Sequence, residues 1–219
     1  MSSSKAPRLT TTSYALLGLL AVQPWTAYEL TQQMQRSLHY VWPKSESLLY
    51  TEPKKLVEAG LATVTQQQRG ERTRAQYHIT EAGRRALEAW LDTQPAAPLF
   101  EIETMLRVTF ADQGTPDQLT RSLRAAATWA EEEMARARPQ IESYLEAGGP
   151  FPERLHLIAI LVGFYGEMFD LIRRYCTDTA DMVESWNTTT AVPLDTDLRS
   201  LLERAQTLAT KATKETPRP

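Results

Sequence analysis

The chain of 219 residues is poor in the residues that most enzymes and metalloproteins need. It has one cysteine, Cys176, so an internal disulfide is impossible and a reducing compartment is expected. Its three histidines, His39, His78 and His156, are scattered, and no carboxylate or cysteine stands at ligand spacing beside them. Zinc-binding, nucleophile-elbow and phosphate-loop motifs are also absent. We therefore predict no catalytic residues, no metal and no cofactor.

Long hydrophobic stretches are scarce as well. Residues 1–7 contain no apolar stretch, so no secretory signal is expected. The longest apolar stretch, residues 155–172, contains His156, Glu167 and Asp170, whereas a membrane span needs about twenty mostly apolar residues. We interpret this stretch as a buried helix, and we expect a cytoplasmic protein with no membrane partner.

The net charge of −3 excludes a strongly basic protein, but the charge is unevenly distributed. Residues 1–92 hold 11 Lys+Arg and 8 Asp+Glu (+3), and residues 93–219 hold the other 13 and 19 (−6). A basic first part followed by an acidic one is typical of a nucleic-acid-binding module joined to a second domain.

The apolar pattern of the first part changes from a helical period to a period of two. Three helices are predicted before Gly60, which ends the third. They are capped within residues 11–13, at Thr26 and at Ser45. Strands are predicted over 61–66 and 76–80 with a polar tip at 69–74, and Thr80 caps a fourth helix. This order is a helix-turn-helix followed by a two-stranded wing.

The third helix has the composition of a DNA-reading helix. Its predicted inner face is Leu48, Leu49, Leu56 and Val57. The major groove admits one α-helix, which must offer polar and basic side chains opposite its core face. Arginine suits phosphates and narrow minor grooves, so the wing tip extends the predicted DNA-binding surface. The predicted DNA-binding residues are Ser45, Ser47, Tyr50, Thr51, Lys54, Lys55, Arg69, Arg72 and Arg74.

Two features of this surface leave questions open. Pro53 stands inside the third helix, where proline removes a hydrogen bond and favours a bend, expected here near Tyr50 and Thr51. A winged helix can also serve as a protein-binding adaptor without touching DNA. An adaptor would more often carry apolar residues at the wing tip than Arg69, Arg72 and Arg74.

The second part of the chain is predicted to be all helical. We predict a mainly α protein with a small β-hairpin, in which a winged-helix domain (1–93) and a linker (94–98) precede a helical dimerisation domain (99–213) and a frayed tail (214–219). Within residues 155–172 the helix is apolar nearly all round, so it must be covered on several sides. A dimer core satisfies this need, and a central core helix of one subunit is the alternative. The proposed dimer interface is Leu157, Leu161, Phe164, Met168 and Ile172.

An effector pocket is also considered, between the winged-helix domain and the helices that follow. Its candidate lining is aromatic: Trp90, Trp129, Phe164 and Tyr165. Aromatic residues at helical spacing equally well fill an ordinary core.

Several segments of the chain, taken together, resemble the PadR family of bacterial transcriptional regulators. They are residues 15–20, 27–30, 42–43, 45, 49–50, 54–61 and 77–87. Residues 100–114 look like the start of the longer, Vir-type helical C-terminal domain of that family. The resemblance implies a winged helix with residues 45–58 as recognition helix and 69–74 as wing tip. It further implies a homodimeric repressor of its own gene and of a neighbouring transporter or stress gene. The DNA partner is expected to be a near-palindromic operator, with release by a small aromatic or cationic effector.

Overall fold

The computed structural model describes residues 9–69 and 72–215, and side chains at 67–73, 214 and 215 are not described. The chain divides into two compact units, Met1–Pro98 and Leu99–Pro219. The division falls at the end of the linker that the sequence predicts at 94–98. Of the tail predicted to fray, residues 216–219 lie outside the described residues, and the last helix continues to Glu215.

The first unit is a winged helix-turn-helix, as predicted. Its elements in chain order are α1 (Thr11–Val22), β1 (Trp25–Thr26), α2 (Ala27–Ser37), α3 (Glu46–Glu58), β2 (Ala62–Arg69), β3 (Arg72–Ile79) and α4 (Glu81–Leu91). The sheet is antiparallel with the order β1-β3-β2. The short strand β1 was not predicted, because two residues are too few to display a period of two.

The helix ends of this unit are specified by single side chains. Thr10, one residue earlier than predicted, caps α1 in a capping box with Ser13. Thr26 forms the same motif with Glu29 at the start of α2, and Thr80 caps α4 as predicted. Gly60 takes the predicted left-handed conformation (φ +70°) after α3. The core beneath these elements consists of Leu16, Leu17, Leu20, Leu30, Met34, Leu49, Leu56, Ala62 and Tyr77.

The wing strands are longer than the sequence predicted. Strand pairing continues to Arg69 opposite Arg72, with Gln67 opposite Arg74. The polar tip predicted at 69–74 is therefore mostly strand, and Gly70 and Glu71 lie outside the described residues. The error has a simple cause: backbone pairing continues through a polar stretch that offers no alternation of apolar and polar residues.

The second unit is helical. It contains α5 (Glu103–Thr109), a 3₁₀ turn at Ala111–Gln113, α6 (Pro116–Ala147), a 3₁₀ turn at Pro152–Arg154, α7 (Leu155–Glu184) and α8 (Thr196–Glu215). Thr115 and Gln118 cap α6, as predicted. Helices α6 and α7 run antiparallel, since Leu123 packs with residues late in α7 and Trp129 with Phe169.

The prediction that residues 155–172 form a buried helix is wrong for the single chain. Among these residues only Phe169 is buried, and Ile160 is 73% exposed. The physical reason is that α7 has one long neighbour, α6, on one side. By length and composition alone, Pro152–Glu184 could also span a membrane.

Candidate nucleic-acid interface

The two faces of α3 divide as the sequence predicted. Leu49 and Leu56 are fully buried, and Leu48 and Val57 are half-buried. The residues on the exposed side are Ser45, Ser47, Tyr50, Thr51, Lys54 and Lys55. The helix therefore presents a polar and basic surface while its opposite face holds it in the core.

The start of α3 is held by a contact with α2 and not by a side-chain cap. Ser45 stands at the N-cap position, but its Oγ lies 3.2 Å from Ser47 Oγ and does not cap a first-turn amide of the described helix. Glu46 accepts a hydrogen bond of 2.8 Å from Gln35 of α2. A helix start whose amides are not capped by a side chain can receive a phosphate.

Pro53 does not end α3, which continues past the proline as one helix, Glu46–Glu58. The proline ring is fully buried, so its apolar surface adds to the core. Proline has no N–H to donate to the carbonyl of Leu49. Nearby, the Thr51 hydroxyl donates to the carbonyl of Leu48 at 3.0 Å. The predicted bend stays a prediction.

Basic side chains surround the exposed face of α3. Lys54 is exposed, and Lys55 donates to Glu52 at 3.0 Å. Lys44, which the sequence reasoning missed, lies just ahead of α3 with its Nζ 4.6 Å from the ring centre of Trp42. Trp42 is itself fixed by a 3.1 Å hydrogen bond to Thr12. A basic residue next to the predicted Trp-Pro break and just before the N-cap was the available signal.

The wing contributes a described basic side chain at Arg74, which is exposed. The backbones of Arg69 and Arg72 close the described part of the hairpin, and their side chains lie outside the description. Thr65 and His78 bridge the strands with Oγ1 and Nε2 2.9 Å apart. In the described residues no group of three or more His, Cys, Asp or Glu could hold a metal ion.

The comparison with known families addresses this unit directly. Residues 16–89 match the family model described as the transcriptional regulator PadR-like family. The chain carries a PadR-like domain. A curated relative, the negative transcriptional regulator PadR of Bacillus subtilis strain 168, is 31% identical over 99 residues. The match covers 44% of this chain and 54% of the relative, so the chain spans about half the length of that relative.

Solved structures resemble a larger part of the chain than the PadR-like domain. Bacillus subtilis PadR in complex with operator DNA superposes with a TM-score of 0.68 at 20% identity, covering 80% of this chain and 99% of that one. The same protein with p-coumaric acid gives 0.59 at 19% identity, covering 80% and 96%. At these identities the likeness establishes the shared fold.

The aromatic residues predicted to line an effector pocket fall into two groups. In the second unit, Trp129 and Phe169 meet edge to face at 5.5 Å, and Tyr165 lies 6.3 Å from Phe169 and 6.2 Å from Phe164. Trp90 belongs to the first unit, Met1–Pro98, which carries the PadR-like domain (the PadR-like unit). Its ring stacks there on that of Tyr14, with the ring centres 5.1 Å apart. Phe169, at the centre of the cluster, was not among the predicted pocket residues.

Two of the five predicted dimer residues, Leu157 and Phe164, form an exposed apolar stripe along α7 together with Leu171. Leu157 and Phe164 are about half exposed, as is Leu171, and the three are seven residues apart. Leu161 and Met168 are half-buried beside them. The other predicted residue, Ile172, packs within the unit against α6.

Charged residues fix the other side of α7. Arg124 of α6 donates to Asp181 at 2.5 Å and to Glu184 at 2.8 Å, and these hydrogen bonds, that to Glu184 first, raise the arginine pKa. Cys176 lies among the packed residues, and burial raises the pKa of its thiol. These contacts fix which face of α7 remains available to a partner.

Proposed function

We propose that this protein is a dimeric, sequence-specific DNA-binding regulator that represses transcription, with α3 as recognition helix and β2–β3 as wing. The observation that carries the proposal is the division of α3, which buries Leu49 and Leu56 and exposes a polar, basic surface. The PadR-like domain supports it. So does the shared fold with Bacillus subtilis PadR, which has been solved on operator DNA.

The exposed residues divide by chemistry into groove readers and phosphate contacts. Ser45, Ser47, Tyr50 and Thr51 are short or hydrogen-bonding side chains suited to base edges and sugars. The basic residues position the protein on the backbone and carry the salt dependence of binding. That second group comprises Lys44, Lys54, Lys55, Arg69, Arg72 and Arg74. The exposed side chain of Arg74 on the wing favours DNA over the adaptor alternative.

The stripe on α7 supports a homodimer. Leu157, Phe164 and Leu171 repeat every seven residues, the spacing with which two long helices meet along a shared seam. The segment around α5 is also uncovered, since Phe100 before the helix and Phe110 just after it are exposed at 68% and 60%. A second copy that covers these surfaces doubles the DNA contact and requires a near-palindromic operator.

A membrane location for α7 fits the chain poorly. Helix α6 packs along α7 through Leu123 and Cys176, so it would have to enter the lipid with it. The side chains of Glu131 and Glu132 on α6 are exposed, and charges inside a bilayer are costly. We therefore propose a cytoplasmic dimer that buries the stripe against protein.

The aromatic cluster around Phe169 supports an effector of the small aromatic or cationic class. Its member Trp129, which is not part of the proposed dimer stripe, is 40% exposed, so a flat ligand can reach its ring. Bacillus subtilis PadR has been solved with p-coumaric acid, an aromatic acid. Adding phenolic acids or aromatic cations to the DNA-bound protein should lower DNA-binding anisotropy, and no response to either class would contradict this assignment.

Lys54→Gln should weaken binding to duplex DNA from upstream of the protein's own gene. Because a phosphate contact is lost, the slope of log K against log salt concentration should flatten by about one. Fluorescence anisotropy at several salt concentrations measures both quantities. Lys211→Gln on α8 makes the same charge change at another exposed position and should leave binding unchanged. Equal binding by the native protein and Lys54→Gln would contradict the assignment of Lys54.

A further inference from the structure

Glu52 is an acidic residue buried inside the proposed recognition helix. It is 2% exposed and lies between exposed Thr51 and buried Pro53. An apolar side chain would fill such a place without the large cost of removing a carboxylate from water. The neighbouring core positions of α3, Leu49 and Leu56, are filled in that way. The use of an acid here therefore needs a reason beyond packing.

Both carboxylate oxygens of Glu52 have a partner. The hydroxyl of Ser13, in the first turn of α1, donates to Oε1 at 2.5 Å. The ammonium of Lys55, three residues later in α3, donates to Oε2 at 3.0 Å. The burial cost is thus offset by two hydrogen bonds, one of which joins two helices across 39 residues of sequence.

Ser13 is itself held in the capping box of α1. Its Oγ accepts from the amide of Thr10 at 2.9 Å and lies 3.1 Å from Thr10 Oγ1. The Ser13 hydroxyl has one proton, and its donation to Glu52 requires that Thr10 supply the proton between the two hydroxyls. The donors then point one way, from Thr10 to Ser13 to Glu52. Hydrogen bonds in such a chain strengthen one another.

Apolar packing alone would leave the orientation of α3 loosely specified. Contacts through Leu49 and Leu56 are not directional, so they set the rotation of the helix less sharply than a hydrogen bond does. A hydrogen bond from Ser13, which is itself held in the capping box of α1, favours one rotation because it is directional. The rotation of α3 matters for recognition of the DNA sequence, because Ser47, Tyr50 and Thr51 must meet base edges to within a fraction of an ångström.

We propose that Glu52 is the positioning residue of the recognition helix. Through Ser13 it fixes the rotation of α3, and through Lys55 it holds an ammonium at the exposed surface where phosphate would lie. The inference rests on the proposed DNA-binding function and adds to it a buried acid that never touches DNA.

Glu52→Gln and Glu58→Gln form a matched pair, since both remove one negative charge from α3 and Glu58 is exposed. If charge alone mattered, both would bind polyanionic DNA as tightly as the native protein or more tightly. Positioning predicts that Glu52→Gln weakens binding to the upstream duplex about tenfold, the value of one charged hydrogen bond. It also predicts a salt slope flatter by about one, because Lys55 is released. Glu58→Gln should show neither change.

The experiment uses the full chain, with circular dichroism and thermal unfolding to verify that each variant is folded. If Glu52→Gln does not fold, the binding of Ser13→Ala tests the proposal instead. This variant removes the hydrogen bond between α1 and α3 and keeps both the Glu52 carboxylate and Lys55. Weaker binding by folded Ser13→Ala supports the inference. Unchanged or tighter binding by the decisive variant overturns it while leaving the proposed function intact. A native protein that binds no duplex overturns both.

Discussion

Phe164→Asp is expected to convert the proposed dimer into a monomer. Phe164 lies at the middle of the α7 stripe between Leu157 and Leu171 and is 49% exposed in the single chain. A two-fold dimer contains the substitution twice, and each aspartate would have to leave water without a partner. The loss of one central aromatic contact typically costs about 2 kcal/mol or more per site, so the dimer dissociation constant should rise at least about thirtyfold for each site.

The fold of the monomer should survive the same substitution, because the side chain is already half exposed. Operator affinity should fall when the dimer is lost, since one winged helix alone makes half the contacts. Sedimentation analysis across a concentration series measures the first effect, and anisotropy measures the second. Leu91→Asp, at an exposed leucine of the PadR-like unit, is the control and should remain dimeric. A Phe164→Asp protein that stays dimeric like the native one would contradict the assignment of the stripe.

Gly83→Ala is expected to produce a large loss of stability. A Cβ at this position in α4 would lie 2.2 Å from the carbonyl oxygen of Leu61 and 2.8 Å from Cγ1 of Ile79. The Leu61 carbonyl cannot move freely, because it accepts a 3.0 Å hydrogen bond from the amide of Thr80. Overpacking against backbone should cost about 2–3 kcal/mol, more than the roughly 1 kcal/mol that alanine gains over glycine in a helix.

Thermal unfolding of the full chain measures this effect. For a unit of this size, the net loss of about 1–2 kcal/mol should lower the unfolding midpoint by roughly 5–15 °C. Gly18→Ala is the matched control, since Gly18 is also helical and no described atom lies within 4 Å of its added Cβ. Its midpoint should stay the same or rise. If Gly83→Ala unfolded at the native temperature, the close packing of α4 on Leu61 and Ile79 would be wrong.

Local patterns in the sequence were enough to predict most of the PadR-like unit. The helical period separated Leu49 and Leu56 from Lys54 and Lys55, and Gly60 and Thr80 marked helix boundaries by their own chemistry. These features depend on residues a few positions apart. The sequence pattern missed β1 because that strand is not a local feature. It is defined by its pairing with β3, whose residues lie some fifty positions later.

Glu52 and α7 illustrate what sequence patterns could not reveal. An acid next to Lys54 and Lys55 is typical of a solvated helix face, and its burial depends on Ser13 in another helix. For α7, the apolar composition predicted a cover on several sides, whereas in the described residues α6 is its one long neighbour. In the proposed dimer a second copy covers the rest, and no pattern within one chain can describe that contact.

The most direct test of DNA reading by a dimer is selection of duplexes from a random library by the native protein. Sequence-specific binding by a two-fold dimer predicts enrichment of an inverted repeat whose half-sites lie about 10 base pairs, or a multiple of that, apart. Lys54→Gln should bind the selected duplex more weakly, and scrambling either half-site should remove most of the affinity. Failure to enrich any sequence above the starting library would contradict specific DNA binding, and enrichment of a single unrepeated motif would contradict the dimer.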